Sequence, residues 1–108
     1  MKRSSRLFVV SAIAVTLAVP FAAFGQDAAA TFKSRCVPCH AADGSGNTPM
    51  GKKIGAKALG SAEVQKLTDA DLQKVITNGK GKMPSFGTKL SPEQVGELVK
   101  LVRSFATR

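Results

Sequence analysis

Cys36-Val37-Pro38-Cys39-His40 gathers the most reactive side chains of the sequence, using both of its cysteines and its one histidine. A plain disulfide between Cys36 and Cys39 would leave His40 without a role. A structural zinc site takes four protein ligands, and the supply of Cys and His falls short of that. A thiol-disulfide oxidoreductase can use Cys-x-Pro-Cys, but such sites follow a buried strand in a βαβ unit. Here Thr31-Phe32-Lys33-Ser34-Arg35 reads instead as amphipathic helix. Covalent attachment of c-type haem uses every residue of the motif, because C-x-x-C-H is its signature. Two thiols on one helical turn can each add to one of the porphyrin's vinyl groups. His40 is then held beneath the iron with an imidazole nitrogen to donate.

The elements that must position this turn read as helices. Phe32, Cys36, Cys39 and His40 share one face of a helix expected from about Asp27 to Ala41. Asp43-Gly44-Ser45-Gly46-Asn47 breaks that helix and opens a loop reaching about Leu59, and a weaker helical turn is expected over Ser61 to Lys66. Thr68 and Asp71 form a capping-box pair ahead of Leu72, Val75 and Ile76, and Asn78-Gly79 closes the helix. Lys80 to Leu90, with Gly81, Pro84 and Gly87, reads as loop. Ser91, Pro92 and Gln94 then start a last helix with Val95, Leu98, Val102 and Phe105 on its apolar face, broadened by Val99 and Leu101. No period-2 run of useful length interrupts this pattern. The fold class expected is all-α.

The N-terminus has a separate purpose. Lys2, Arg3 and Arg6 precede an apolar run from Leu7 to Pro20, and Ala23-Phe24-Gly25 places small residues where signal peptidase cuts. Residues 1–25 are expected to be a cleaved signal peptide, with cleavage before Gln26, leaving residues 26–108 as one domain. The run is shorter than the ~20 residues of a bilayer span, so retention as a membrane anchor is the lesser alternative. No cysteine stands directly after it, which argues against a lipoprotein. The destination is periplasmic or otherwise extracytoplasmic, where haem c is attached. The remaining 83 residues carry 13 Lys and Arg against 7 Asp and Glu. With Phe32, Phe86 and Phe105 as their only aromatics, they make a small core. A domain of this size usually needs a staple, and a covalent porphyrin would be one.

From Ala28 to Ala106 the chain resembles the small bacterial class I cytochromes c. Phe32, four residues before the first Cys, matches the N-terminal helix of that family. Asn78-Gly79-Lys80-Gly81-Lys82-Met83-Pro84-Ser85-Phe86-Gly87 is similar to the loop bearing its methionine ligand, and Leu90 to Phe105 to its C-terminal helix, which packs across the N-terminal one. Ala28 stands where a small Gly is common, and Leu101 where an aromatic is. The resemblance implies short helices wrapped around one covalent haem c and a one-electron carrier rather than an enzyme.

Met50 and Met83 are the methionines available as second axial ligand after cleavage. Met50 follows His40 closely, in a loop leaving the same side of the haem, and reads as core filler. Met83 follows an intervening helix and a Pro-braced loop able to reach the opposite face. The expected iron ligands are therefore His40 and Met83, a pair that raises the reduction potential. The resemblance also makes Pro49 the candidate whose carbonyl accepts the Nδ1 proton of His40, since a Pro shortly after the motif does this in related proteins. If Met83 were unbound, a five-coordinate haem sensor or enzyme would be the alternative. Gly46 to Lys53 nearly spells a phosphate-binding loop, but Lys53 replaces the required Ser or Thr and no strand precedes it. Lys80 and Lys82 flank Met83 and would face an acidic redox partner. Two haem propionates would bring the net charge of the mature domain to about +4. Nucleic acid is a poor partner for a chain without aromatics among its basic residues.

Overall fold

The computed structural model describes residues 9–16 and 23–107. Lys2, Arg3 and Arg6 of the expected signal peptide, and the far end of its apolar run, lie outside the described residues. Within residues 9–16 no helix or strand forms, and Val9, Val10, Ile13 and Val15 are all exposed. This part of the apolar run contributes nothing to the core.

The domain is built from six α-helices among the described residues: α1 (Ala23–Thr31), α2 (Val37–His40), α3 (Pro49–Ile54), α4 (Ala62–Gln65), α5 (Asp69–Asn78) and α6 (Pro92–Ser104). No strand is present among them, and Lys80 and Met83 form an isolated antiparallel bridge. The all-α expectation holds.

α6 starts as its sequence dictates. The Ser91 hydroxyl accepts from the Gln94 amide, the Gln94 side chain accepts from the Ser91 amide, and Pro92 sits in the first turn. Val95, Leu98, Val99, Val102 and Phe105 are buried. Each such side chain stabilises the fold by roughly 1.5–3 kcal/mol through removal of apolar area from water. The partners are Ala28 and Phe32 of the N-terminal segment, with the Phe32 and Phe105 rings 5.4 Å apart and tilted by 42°. Ala28 is 5% exposed, so the alanine in place of the family's usual glycine still sits inside the α1–α6 contact.

A polar seam fixes the other end of α6. Arg103 donates to Gln65 O at 2.8 Å, to Leu67 O at 2.6 Å and to Asp69 Oδ1 at 3.0 Å. Gln65 Nε2 donates to Leu59 O and Val102 O. Backbone carbonyls that lack helical partners around α4 are thereby satisfied.

Two elements differ from expectation. The first helix spans Ala23–His40, but Phe32–Cys36 is a π turn, with the Val37 amide bonded to Phe32 O five residues back. Pro38 supplies the cause. It has no amide to give, and its ring would crowd the carbonyl four residues earlier in a straight α-helix. Widening the turn relieves that crowding. The second difference is α3, inside the stretch expected to be loop. Thr48 caps it, Pro49 takes the first position and Gly55 ends it at φ 70°. A cap, a proline and a terminal glycine at that spacing are start and stop signals for a short helix.

Candidate haem-binding site

Two backbone segments carry the four donors expected from the sequence. Cys36, Cys39 and His40 lie on the π turn and α2, and all three are half-buried. Both thiols are free. Burial pushes the Cys36 thiol up to about 11, with Arg35 offsetting only part of the effect. A dithiol oxidoreductase needs the reverse, a thiol whose pKa is lowered so that thiolate is present. Burial also lowers the His40 pKa, which keeps its imidazole neutral with a lone pair to donate.

Immediately after His40 the chain turns sharply. Ala41 has φ 64° and ψ 159°, a region a non-glycine residue occupies at a cost of about 1–3 kcal/mol. The turn is tied down by Gly46 N donating to His40 O at 2.8 Å and by the Thr48 hydroxyl donating to Pro38 O at 2.7 Å. Gly51 of α3 presses against the same place. A Cβ there would lie 2.2 Å from Cys39 O and 2.3 Å from Gly46 O, so only glycine permits this approach.

His40 Nδ1 is buried and has no hydrogen-bond partner among the described residues. The Pro49 carbonyl therefore does not accept from it, contrary to expectation. Pro49 is the first residue of α3, and helix geometry aims its carbonyl along that helix. Met50 is likewise no core filler. It is 49% exposed on the first turn of α3, whose inner face is occupied by Gly51.

Met83 sits on the second segment, half-buried and packed against the hydrophobic core. Lys80 and Met83 exchange backbone hydrogen bonds of 3.1 and 2.9 Å around Gly81 and Lys82. The loop is then fastened to the C-terminus of α5. Phe86 N donates to Ile76 O at 3.0 Å, Gly87 N to Thr77 O at 3.0 Å and the Ser85 hydroxyl to Thr77 O at 2.6 Å. Those carbonyls belong to the last turn of α5, which has no helical donors for them. The helix end and the methionine loop thus satisfy each other.

The residues around these segments suit a covalently held porphyrin. Cys36, Val37, Leu67, Ile76, Met83 and Leu101 are packed against the core yet only partly buried. Among the described residues no large side chain is buried completely. A flat apolar group held by two thioethers would cover such a surface. A cleft of about 340 Å³ between α5 and α6 is lined instead by Asp69, Glu93, Glu97 and their neighbours, and none of the four donors reaches it.

Comparison with known proteins shows the family. Residues 23–102 match the family described as "Cytochrome C oxidase, cbb3-type, subunit III". The chain belongs to this family of c-type cytochromes. It is 36% identical over 100 residues to cytochrome c6 of Picosynechococcus sp. (strain ATCC 27264 / PCC 7002 / PR-6), covering 81% of this chain and 85% of that one. It is 34% identical over 101 residues to cytochrome c6 of Rippkaea orientalis (strain PCC 8801 / RF-1), covering 88% and 86%. The solved structure "KustC0563 c-type cytochrome" superposes with a TM-score of 0.68 at 36% identity, covering 73% of this chain and 96% of that one. As a small class I c-type cytochrome, the protein holds one covalently attached haem c with its iron and is a haem-based electron carrier, not an enzyme.

Four lysines carry exposed charge on the segments around the cytochrome's donors. Lys52, Lys53, Lys80 and Lys82 are exposed and take part in none of the ion pairs among the described residues, which join Lys57 to Glu63, Lys100 to Glu97 and Arg103 to Asp69. No helix among the described residues is long and apolar enough to cross a membrane.

Proposed function

We propose that the protein is an exported electron carrier in which Cys36 and Cys39 hold the haem by thioethers, His40 is one axial iron ligand and Met83 the other. When bound, the haem supplies an iron centre that gains and loses one electron. Cys36 and Cys39 fix its orientation, and the turn they occupy sets His40 beside it. Met83, a soft neutral thioether, would favour the ferrous state and raise the reduction potential. Val37, Leu67, Ile76 and Leu101 exclude water from the site. Held by both donors, the iron would keep no open coordination site for a substrate. The observation that carries this reading is that two independently anchored segments, Cys36 to His40 and Lys80 to Met83, pack half-buried Cys36 and Met83 against one core.

Lys80 and Lys82, exposed beside Met83, serve as the docking contacts for an acidic redox partner. Their unpaired charge steers association and makes it salt-dependent. Residues 1–25 direct export and are removed before Gln26. The exposure of Val9, Val10, Ile13 and Val15 supports a segment that is not part of the folded domain.

Two experiments test the reading. Haem should stay with the purified protein through acidified-acetone extraction, and thiol titration should find no free cysteine. Freely extracted haem, or two titratable thiols, would refute attachment. Intact-mass analysis of the exported protein should place the N-terminus at Gln26. A mass that retains residues 1–25 would make the protein a membrane-anchored carrier. Because α1 begins at Ala23, this cleavage also removes Ala23–Gly25 from the first turn of that helix.

A further inference from the structure

We propose that Thr48 positions His40, acting through the main chain beneath it; the inference rests on the reading that His40 is an axial ligand. A ligating histidine is ordinarily oriented by a hydrogen bond from its second ring nitrogen. His40 Nδ1 has no such partner among the described residues, so the direction of its ring is inherited from the backbone that carries it. That backbone is the last turn of the helical run from Ala23, ended by the turn at Ala41. Its final carbonyls therefore have no amide of the same helix to bond.

Thr48 supplies the missing support. Its single hydroxyl proton goes to Pro38 O at 2.7 Å, while Cys39 O lies farther off at 3.4 Å. The same oxygen accepts from Gly51 N at 2.8 Å. One hydroxyl thus joins the α2 turn to the first turn of α3. Gly51 closes the joint, since its bare Cα lets α3 rest against Cys39 O. Pro38 and Cys39 directly precede His40, and Gly46 N holds the His40 carbonyl from the other side. Removing the hydroxyl would leave the motif turn free to shift against α3 and the imidazole free to tilt.

Thr48 is also the N-cap of α3, so a loss of stability alone would not establish the role. The test uses the Met83→Ala protein, whose ferrous haem has His40 as its sole axial ligand, and reads the iron–histidine stretching band by resonance Raman. Adding Thr48→Val should shift that band to lower frequency and broaden it, and Thr48→Ser should leave it as in the parent. If Thr48→Val does not accumulate, Thr48→Gly should show the same displaced band, because glycine is a competent N-cap without a hydroxyl. A band unchanged in position and width in Thr48→Val, or in Thr48→Gly, overturns the positioning role even if the melting temperature falls. A band displaced equally in Thr48→Ser also overturns it. Absence of the band in a Met83→Ala parent whose absorption spectrum is that of five-coordinate, high-spin ferrous haem refutes His40 as ligand, and the inference with it.

Discussion

Met83→Ala should leave the haem attached and turn a closed electron carrier into a protein that binds carbon monoxide. In the proposed site, attachment depends on Cys36 and Cys39, which lie on a different segment from Met83 and are untouched by the change. On the proposed ligation, losing the thioether would vacate one axial position, so the ferrous protein should take up carbon monoxide stoichiometrically where the wild type takes up none. The methionine–iron charge-transfer band should disappear. The reduction potential should fall by on the order of tenths of a volt, within the ~0.8 V range that axial ligation commands in haem proteins. The cost to stability should stay modest, since Met83 is only half-buried and the loop that carries it is held by Ser85, Phe86 and Gly87. Met50→Ala is the control. Met50 is largely exposed on α3, so its removal should leave the band and the potential unchanged. A band lost in Met50→Ala and kept in Met83→Ala would reverse the ligand assignment. A band absent from the wild type would remove the physical basis for a closed, six-coordinate carrier.

The motif and the helices with strong terminal signals were legible in the sequence because their physics is local. Ser91, Pro92 and Gln94 start α6, and Thr68 and Asp71 start α5, as the capping patterns require. The apolar face of α6 followed from helical spacing alone, and its buried residues are the ones that spacing selects. What escaped is of two kinds. The capping signals of α3 were present in Thr48-Pro49 and Gly55, but six residues are too few to show amphipathic periodicity, and the flanking glycines suggested a loop. The other kind depends on tertiary contact. Nothing local says that Gly51 must be bare because Cys39 O lies against it, or that Thr48 will reach back ten residues to Pro38. The π turn lies between the two. Pro38 was visible, yet whether a proline kinks, ends or widens a helix is decided by what the surrounding packing tolerates.

Gly79→Ala should uncouple Met83 from its position while leaving Cys36, Cys39 and His40 in place. Gly79 ends α5 at φ 75° and ψ 169°, a backbone conformation essentially reserved for glycine, so alanine there costs roughly 1–3 kcal/mol before any contact is counted. The contacts add to this. A Cβ would lie 2.6 Å from Met83 O, 2.9 Å from Ser85 N and 3.0 Å from the Pro84 carbonyl carbon. All three are main-chain atoms, which cannot swing aside as a side chain would. α5 is fixed by the burial of Leu72 and by its capping box, so the loop is the part that must yield. Its displacement would strain the Lys80–Met83 bridge and pull Ser85 and Phe86 from the last carbonyls of α5. The expected result is a stable haem adduct with a weakened or missing methionine–iron band and partial carbon monoxide binding, a milder form of Met83→Ala. Gly81→Ala separates this effect from general loop strain. Gly81 also has positive φ, at 57°, but a Cβ there meets nothing within 4 Å. That variant should lose some stability and keep the band. If Gly79→Ala kept the band and excluded carbon monoxide as the wild type does, Met83 would be held by something other than the contact between its carbonyl and the end of α5. If Gly81→Ala lost the band equally, backbone strain anywhere in the loop would suffice, and Gly79 would have no special place in setting the ligand.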